Sequence, residues 1–291
     1  MYRGGLRANF AFESDWTMRV FAGPCVIENE VQALHVARHL AAAAGRLGVE
    51  IVYKSSFDKA NRSSAASARG PGLDRGLAIL AEVKALTGLR VVTDVHETAQ
   101  VERAAEVVDI LQVPAFLCRQ TDLLQAAVGT GRPVLVKKGQ FVSPRDMQNI
   151  VAKAQAAFGG APLPYDALML CERGTSFGYN DLVVDMRSLE IMRAFGHPVI
   201  FDATHAAQRP GADGHCSGGD RAMVPVLARA AAAVGIDGLF VETHPDPARA
   251  QSDAATAWPL AEFEILIEDI LAIHRLVSES GGNAGAVAAA E

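Results

Sequence analysis

The segment "PVIFDATH", residues 198–205, is a short apolar run in which polar side chains collect at the carboxyl end. A strand with one face in water alternates apolar and polar residues, whereas a parallel strand covered on both faces reads as a nearly continuous apolar run. The segment therefore predicts a buried parallel strand whose carboxyl end carries Asp202 and His205.

Seven other segments are likewise short, nearly continuous apolar runs, and most of their polar residues lie at or just after the carboxyl end. They are residues 20–27, 50–57, 90–95, 108–115, 133–139, 166–174 and 238–245. Segments of helical period or high alanine content lie between them, such as residues 29–48, 74–88 and 221–235. Eight β/α units in about 260 residues match the count and size of a (β/α)8 TIM barrel of the α/β class.

A doubly wound open sheet is the alternative that the pattern alone leaves open. No G-x-G-x-x-G motif follows the first predicted strand, which counts against a dinucleotide-binding sheet. We expect residues 19–277 to form a single catalytic barrel, residues 1–18 to form an N-terminal extension that folds as a hairpin, and the small, polar residues 278–291 to form a disordered tail.

The composition restricts the partners of the chain. Its 291 residues include 27 Lys and Arg against 33 Asp and Glu, a net charge of −6, which gives no reason to expect nucleic acid or an anionic membrane as a partner. The sequence has neither a long uncharged apolar stretch nor a signal peptide, so we expect a cytoplasmic protein. The four cysteines form no Cys-x-x-Cys pair and are expected to be reduced.

Basic residues gather near the carboxyl ends of the predicted strands, although the protein is acidic overall. Any single one of them would more often be a solvated surface residue. Lys54 and the Lys137–Lys138 pair are different, because they interrupt runs that should be buried, where an unpaired ammonium group is costly. We therefore predict a site for phosphate or carboxylate groups, with these candidate contacts: Lys54, Lys59, Arg62, Arg69, Arg119, Lys137, Lys138 and Arg173.

Four possible metal ligands follow strands that would be neighbours in a closed barrel. They are Cys25, His205, Glu242 and Asp253. A thiolate, an imidazole and two carboxylates form a mixed ligand set that suits Mn²⁺, Fe²⁺, Co²⁺ or Zn²⁺. Such a set differs from the cysteine-rich set of a structural zinc site. Each has another interpretation: a packed cysteine, a hydrogen-bonded histidine, a salt-bridge partner and a helix N-cap, respectively. A metal site is favoured over these interpretations only because all four residues are expected to lie close together.

At these residues the sequence resembles the family of 3-deoxy-D-manno-octulosonate 8-phosphate synthases. The matching segments extend from about Phe21 to Leu260 and include "AGPCVIE", "YKSSFDKANRSS", "TDVHE", "QVPAFLCRQTDLL", "VKKGQF", "ERGTSFGYNDLVVDMRSL", "FDATHAAQRPG" and "ETHPDPARAQSDA". The resemblance implies condensation of phosphoenolpyruvate with D-arabinose 5-phosphate, a step toward the core sugar of lipopolysaccharide. It also implies one divalent metal ion per subunit and no organic cofactor.

The resemblance further implies roles for individual residues. Asn61, Arg62 and Ser63 would bind arabinose 5-phosphate, and Arg119 would reach the site of a neighbouring subunit in a homotetramer. Cys25, His205 and Asp94 would be catalytic, although a structural role for Asp94 is an equal alternative. Phosphoenolpyruvate would contact Lys54, Lys59, Gln112, Lys137 and Arg173, with Lys138 adjacent.

The segment "AGPC" looks like the metal-dependent form of this family, because the metal-independent form carries asparagine where Cys25 stands. His215 and Cys216 lie in a segment where the family varies, which leaves open a different or additional metal contact. Three alternatives also stay open: a heptulosonate 7-phosphate synthase that uses erythrose 4-phosphate, a metal-dependent phosphosugar aldolase or isomerase, and a phosphosugar-binding barrel without catalytic activity. The segment "KANRSS" favours the arabinose 5-phosphate enzyme over the first of these.

Overall fold

The computed structural model of the chain describes residues 18–60, 67–211 and 218–281. Within these ranges eight parallel strands form one sheet, and each predicted apolar run contains one of them. The strands are β1 (Arg19–Gly23), β2 (Ile51–Lys54), β3 (Arg90–Asp94), β4 (Ile110–Val113), β5 (Val134–Lys137), β6 (Leu168–Glu172), β7 (Val199–Asp202) and β8 (Gly238–His244).

The sheet closes on itself. Neighbours in the chain pair in order from β1 to β8, and β1 also pairs with β8 in parallel, with Arg19 opposite Gly238 and Gly23 opposite Glu242. An open doubly wound sheet has two edge strands, whereas each of these eight strands pairs with a neighbour on both sides, so the closure excludes that alternative. The predicted (β/α)8 TIM barrel is confirmed.

Helices cover the outside of the barrel and bury the outward-facing residues of the strands. Glycines end several of them; Gly48, for example, has a left-handed backbone at the end of the first helix. The helices in the described ranges are α1 (Glu30–Leu47), α2 (Leu73–Thr87), α3 (Thr98–Val107), α4 (Thr121–Gly129), α5 (Met147–Ala157), α6 (Arg187–Arg193), α7 (Ala203–Ala206), α8 (Met223–Val234) and α9 (Phe263–Gly281).

The interior of the barrel is layered, because successive side chains of a strand point to opposite faces. An apolar cluster fills the middle of the barrel and consists of Phe21, Val52, Val92, Ile110, Leu135, Met169, Cys171, Ile200 and Phe240. Two residues further along most strands, the side chain on the same face is polar. This polar layer at the carboxyl end contains Lys54, Asp94, Gln112, Lys137, Arg173, Asp202 and Glu242.

Two features of the fold differ from the sequence prediction. An antiparallel hairpin of Thr175–Phe177 and Asp181–Val183 follows β6, where no strands were predicted. The last helix continues to Gly281, past the predicted end of the barrel at residue 277 and into the predicted tail, and Ser278 Oγ donates to the His274 carbonyl at 2.9 Å within it. The predicted N-terminal hairpin and the rest of the predicted tail fall on residues 1–17 and 282–291, outside the described ranges. No described helix combines the length and the apolar character needed to span a membrane.

Candidate active site

Cys25 enters the site through a turn that only glycine permits. Gly23 has φ +153°, and a Cβ atom at this position would lie 2.1 Å from the carbonyl oxygen of Lys54. The close approach lets the chain leave β1 directly over the end of β2, where Ser56 N donates to Cys25 O at 3.3 Å. The Cys25 side chain is 6% exposed as a result.

The thiol of Cys25 lies among carboxylates. Cys25 Sγ donates to Asp253 Oδ2 at 2.8 Å and lies 3.0 Å from Ser252 Oγ. The ligand atoms of Cys25, Glu242 and Asp253 are all within 4.8 Å of one another, so one ion could contact all three. Asp253 does not cap a helix, because only a turn follows it, and its φ is +54°.

His205 presents one ring nitrogen to this cluster. Its Nε2 lies 3.7 Å from Asp253 Oδ2 and 3.9 Å from Glu242 Oε1. On the other side of the ring, Nδ1 lies 2.7 Å from Asp202 Oδ2, which leaves Nε2 directed at the carboxylates. Asp202 also accepts from the backbone N–H of His205 at 2.9 Å, so the same carboxylate contacts both the backbone and the ring of His205.

The four candidate ligands fit a divalent metal by their chemistry. Glu242 Oε2 is buried and has no hydrogen-bond partner among the described residues, so one carboxylate oxygen is available to an ion. Burial raises the pKa of Cys25 well above its ordinary value, and the carboxylates of Asp253 and Glu242 raise it further. Without a cation the thiol holds its proton, whereas a bound metal would replace that proton.

Two lysines lie beside the ligand cluster. Lys54 is 1% exposed, and its Nζ donates to Glu242 Oε1 at 3.1 Å and to the Cys25 carbonyl at 3.2 Å. Lys59 Nζ donates to Ser56 Oγ at 2.8 Å. Burial by itself lowers the pKa of Lys59, but the charges of Cys25, Asp94 and Glu242 outweigh it and raise this pKa. Lys59 is therefore charged at neutral pH.

Lys137 forms a buried ion pair across the barrel. Its Nζ contacts Asp202 Oδ2, and both side chains are almost completely buried. Burial by itself raises the pKa of Asp202, but His205 and Lys137 outweigh it and hold this pKa well below its ordinary value. Asp202 thus links a predicted substrate lysine to a predicted metal ligand.

Arg173 and Gln112 have polar atoms without partners among the described residues. Arg173 is 5% exposed, and its Nη2 donates to Gln208 Oε1 at 2.9 Å, but its Nη1 has no partner. Burial lowers the pKa of Arg173, as expected for a guanidinium group without a directly bound anion. Gln112 Oε1 is also buried without a partner. An anionic ligand would satisfy Arg173 Nη1.

Asp94 forms a pair with His96, whose Nε2 lies 3.1 Å from Asp94 Oδ2. Burial by itself raises the pKa of Asp94, but Lys59 and the contact with His96 outweigh it, and this pKa lies well below its ordinary value. Asp94 Oδ1 is buried and has no partner in the described part of the chain. Asp94 is therefore an ionised hydrogen-bond acceptor rather than an acid.

Several predicted anion contacts lie outside the polar layer. Lys138 faces away from the barrel interior and has five nearby acceptors, among them Thr175 Oγ1 at 3.0 Å and Glu172 Oε1 at 3.3 Å. Arg69 is exposed and pairs with Asp58. Arg119 is exposed beside a groove between α4 and α5. The remaining predicted substrate contacts, Asn61, Arg62 and Ser63, lie outside the described residues. So do His215 and Cys216, which the sequence left open as metal contacts.

The sequence prediction assigned no role to Asp202 or His96, although both follow apolar runs. Side chains alternate between the two faces of a strand, so Asp202 lies on the same face of β7 as the interior residue Ile200. This alternation could have identified Asp202 as a site residue. No local signal identifies Gln208 or Ser252 as partners of site residues, because their contacts depend on how distant loops pack.

The fold and the site define a class of protein: a (β/α)8 barrel with a buried layer of charged side chains and a cluster suited to a divalent metal at the carboxyl ends of its strands. Comparison with known proteins narrows this class. A family model described as the DAHP synthetase I family matches residues 9–272. The chain belongs to this family.

Individual relatives give a finer comparison. A protein of Variovorax paradoxus (strain S110) is 56% identical over 261 residues, which are 90% of this chain and 92% of the relative. A protein of Laribacter hongkongensis (strain HLHK9) is 56% identical over 263 residues, 90% of this chain and 93% of the relative. Both are named 2-dehydro-3-deoxyphosphooctonate aldolase, as is a protein of Azoarcus sp. (strain BH72) that is 55% identical over 262 residues, 90% of this chain and 92% of the relative.

Proposed function

We propose that this protein is an enzyme that condenses phosphoenolpyruvate with D-arabinose 5-phosphate and water, giving 3-deoxy-D-manno-octulosonate 8-phosphate and inorganic phosphate. This is the reaction implied by the sequence resemblance, and the name of the relatives describes the same product. The observation that carries the proposal is that the buried polar layer places three cations, Lys54, Lys137 and Arg173, together at one end of an acidic barrel. Two phosphates and a carboxylate need such a layer.

In this reaction a carbon–carbon bond forms between C3 of phosphoenolpyruvate and the aldehyde carbon of the pentose phosphate. Water adds at C2 of phosphoenolpyruvate, and phosphate then leaves from C2. Positive charge develops at C2 while negative charge develops on the aldehyde oxygen. We assign phosphoenolpyruvate to Lys54, Lys59, Gln112, Lys137 and Arg173, and the pentose phosphate to Asn61, Arg62 and Ser63.

Asp94 is assigned to the sugar or to proton movement near it. Its Oδ2 is occupied by His96, whereas its Oδ1 has no partner among the described residues. An ionised Oδ1 is suited to accept a hydrogen bond from a substrate hydroxyl and to orient that hydroxyl. The same ionisation argues against Asp94 as the proton donor.

One divalent ion per subunit is assigned to Cys25, His205, Glu242 and Asp253, with Mn²⁺, Fe²⁺, Co²⁺ and Zn²⁺ as candidates and no organic cofactor. Such an ion supplies Lewis acidity that can polarise the aldehyde or lower the pKa of a water molecule. Asp202 holds the His205 ring, and Lys54 balances the charge of Glu242. These residues keep the ligand set oriented while substrates bind.

We further propose a cytoplasmic homotetramer in which Arg119 reaches a neighbouring site. The support is the exposure of Arg119 together with that of two large apolar side chains. Phe116, three residues before Arg119, is 55% exposed, and Phe141, which lines the same groove as Arg119, is 54% exposed. Exposed aromatic and arginine side chains are typical of protein interfaces.

The choice of aldose tests the reaction. We expect phosphate release from phosphoenolpyruvate to be at least about tenfold faster with arabinose 5-phosphate than with erythrose 4-phosphate, because a substrate shorter by one carbon loses contacts in the transition state. The measurement is inorganic phosphate over time with each aldose and without aldose. Faster release with erythrose 4-phosphate would support the heptulosonate synthase. Binding of the substrates without phosphate release would support the non-catalytic barrel. Aldol cleavage in the absence of phosphoenolpyruvate would support the phosphosugar aldolase.

Arg173→Met tests the anion site. We expect KM for phosphoenolpyruvate to rise about 10- to 100-fold, since a charge-assisted hydrogen bond to the substrate is lost. The free energy of unfolding should change by less than about 1 kcal/mol, because the guanidinium group has only a neutral amide partner. Arg187→Met, at an 86% exposed side chain, is the control and should leave KM unchanged. An unchanged KM in Arg173→Met would remove Arg173 from the substrate site.

A further inference from the structure

The carboxylate of Glu28 is not a candidate metal ligand, but it connects the chain segments that carry the candidate ligands. Glu28 lies between β1 and α1, three residues after Cys25. Its Oε1 accepts a hydrogen bond from the backbone N–H of Gln251 at 2.9 Å and lies 3.2 Å from His244 Nε2. Its side chain is only 12% exposed and that of His244 7%, so these bonds are largely shielded from water.

The hydrogen bonds of His244 define the direction of its contact with Glu28. The backbone N–H of Asp246 donates to His244 Nδ1 at 3.0 Å, so Nδ1 is an acceptor and carries no proton. Nε2 is therefore the ring nitrogen that donates to Glu28 Oε1.

These contacts join three parts of the chain. Glu28 follows Cys25 by three residues, its partner His244 follows Glu242 by two, and its partner Gln251 precedes Asp253 by two. We propose that Glu28 is a positioning residue that holds the three ligand-bearing segments at the separation a divalent ion needs. The proposal rests on the metal site proposed above and adds to it a residue that donates no ligand atom to the cluster.

The loop that carries Asp253 needs such a restraint. Asp253 has φ +54°, a left-handed conformation that costs a non-glycine residue about 1–2 kcal/mol. A free loop would relax from this conformation and move the carboxylate away from Cys25. The Gln251–Glu28 bond anchors the loop on one side of Asp253, and the Thr256 N–H, which donates to the Asp253 carbonyl at 3.0 Å, closes a turn on the other side.

The test measures metal affinity of the full-length protein rather than its activity. Metal-free wild type, Glu28→Ala, Glu28→Gln and Glu30→Ala are titrated with Co²⁺, and bound ion is followed by equilibrium dialysis and by the thiolate-to-cobalt charge-transfer absorption. We expect Glu28→Ala to bind Co²⁺ about 10- to 100-fold more weakly, which is the usual effect of losing an outer partner of a metal site. Glu28→Gln keeps an oxygen acceptor and should lose less than about tenfold.

Glu30 provides the matched control. It is exposed in the first turn of α1, two residues after Glu28, so Glu30→Ala removes a carboxylate from the same helix end without touching His244 or Gln251. Its Co²⁺ affinity and absorption should equal those of the wild type. If Glu30→Ala weakens Co²⁺ binding as much as Glu28→Ala does, the effect is one of general charge and the proposal is wrong.

Other outcomes separate the positioning role from the metal site. A wild type that binds no Co²⁺ would overturn the metal site and the proposal together, whereas a wild type that binds Co²⁺ alongside an unaffected Glu28→Ala would overturn the positioning role alone. If Glu28→Ala does not fold, the proposal is tested with Glu28→Gln and by comparing His244→Gln with His244→Ala. His244→Gln keeps a donor toward Glu28 and should bind Co²⁺ more tightly than His244→Ala; equal affinities would contradict the proposal.

Discussion

Asp202→Asn is expected to lower the free energy of unfolding by about 3–5 kcal/mol, because it leaves the buried Lys137 ammonium without a charged partner. It should also abolish most of the activity, since the same carboxylate fixes His205 through its ring and its backbone. The measurements are denaturant-induced unfolding and phosphate release on the same preparation.

The exposed ion pair between Asp185 and Arg187 supplies a matched control. Asp185→Asn removes a carboxylate from a pair whose arginine side chain is 86% exposed, so its stability should change by no more than about 1 kcal/mol. Combining Lys137→Met with Asp202→Asn removes both charges and should restore part of the stability, because the unpaired buried charge is gone. It should not restore activity. Asp202→Asn with wild-type stability would contradict the buried ion pair.

The low pKa of Asp202 also predicts how stability depends on pH. The folded-state pKa lies below the ordinary value of 3.8, so the unfolded chain takes up the proton first as the pH falls. The stabilisation from Asp202 is therefore fully present at neutral pH and is lost as the pH falls below about 4. Asp94, whose pKa is also lowered, acts in the same direction. Asp202→Asn should show a shallower loss of stability in this range than the wild type.

Removing divalent metal is expected to reduce phosphate release at least about 100-fold, and Mn²⁺, Fe²⁺ or Co²⁺ should restore it, because transition-state charge stabilisation of this kind is worth several kcal/mol. The protein is treated with a chelator, its metal content is determined by elemental analysis, and activity is assayed before and after each ion is added. Full activity in protein shown to hold no metal would contradict the assigned site.

Cys25→Asn sharpens this experiment. The resemblance implies that asparagine occupies this position in the metal-independent form of the family, so the variant should retain measurable activity that the chelator does not remove. Cys118→Ala changes another buried cysteine, one that is not part of the ligand cluster, and should remain as sensitive to chelator as the wild type. A folded but completely inactive Cys25→Asn would mean that Cys25 alone does not decide the metal requirement.

The barrel could be predicted from the sequence because its signal is local. Each strand is a short run with apolar residues on both faces, and this property is written in consecutive residues such as 198–201. The convergence of polar groups followed from the same pattern, since the carboxyl ends of barrel strands meet at one end. The hairpin after β6 escaped prediction because its strands are three residues long and largely exposed, and so carry no apolar run.

Lys137 and Lys138 show which feature the sequence could predict, the burial of both lysines, and which it could not, the surroundings of each. Both are buried lysines in one motif, but they lie on opposite faces of the chain: Lys137 follows the interior residue Leu135 by two, whereas Lys138 packs among carbonyl groups of the surrounding loops. The prediction of Lys138 as an anion contact treated burial as evidence of a site. Its acceptors come from residues 139, 142 and 174–175, which only the folded chain brings together.

The sequence by itself determined the (β/α)8 barrel, the end of the barrel that carries the polar groups and, through its motifs, the resemblance to a family. These follow from the local alternation of side chains and from residue identity. Only the tertiary structure decided that Asp202 joins Lys137 to His205, that Arg173 has a free buried donor among the described residues, and that Glu28 holds the segments of Cys25, Glu242 and Asp253. Hydrogen bonds of this kind act over about 3 Å between residues far apart in the chain, so no sequence spacing encodes them.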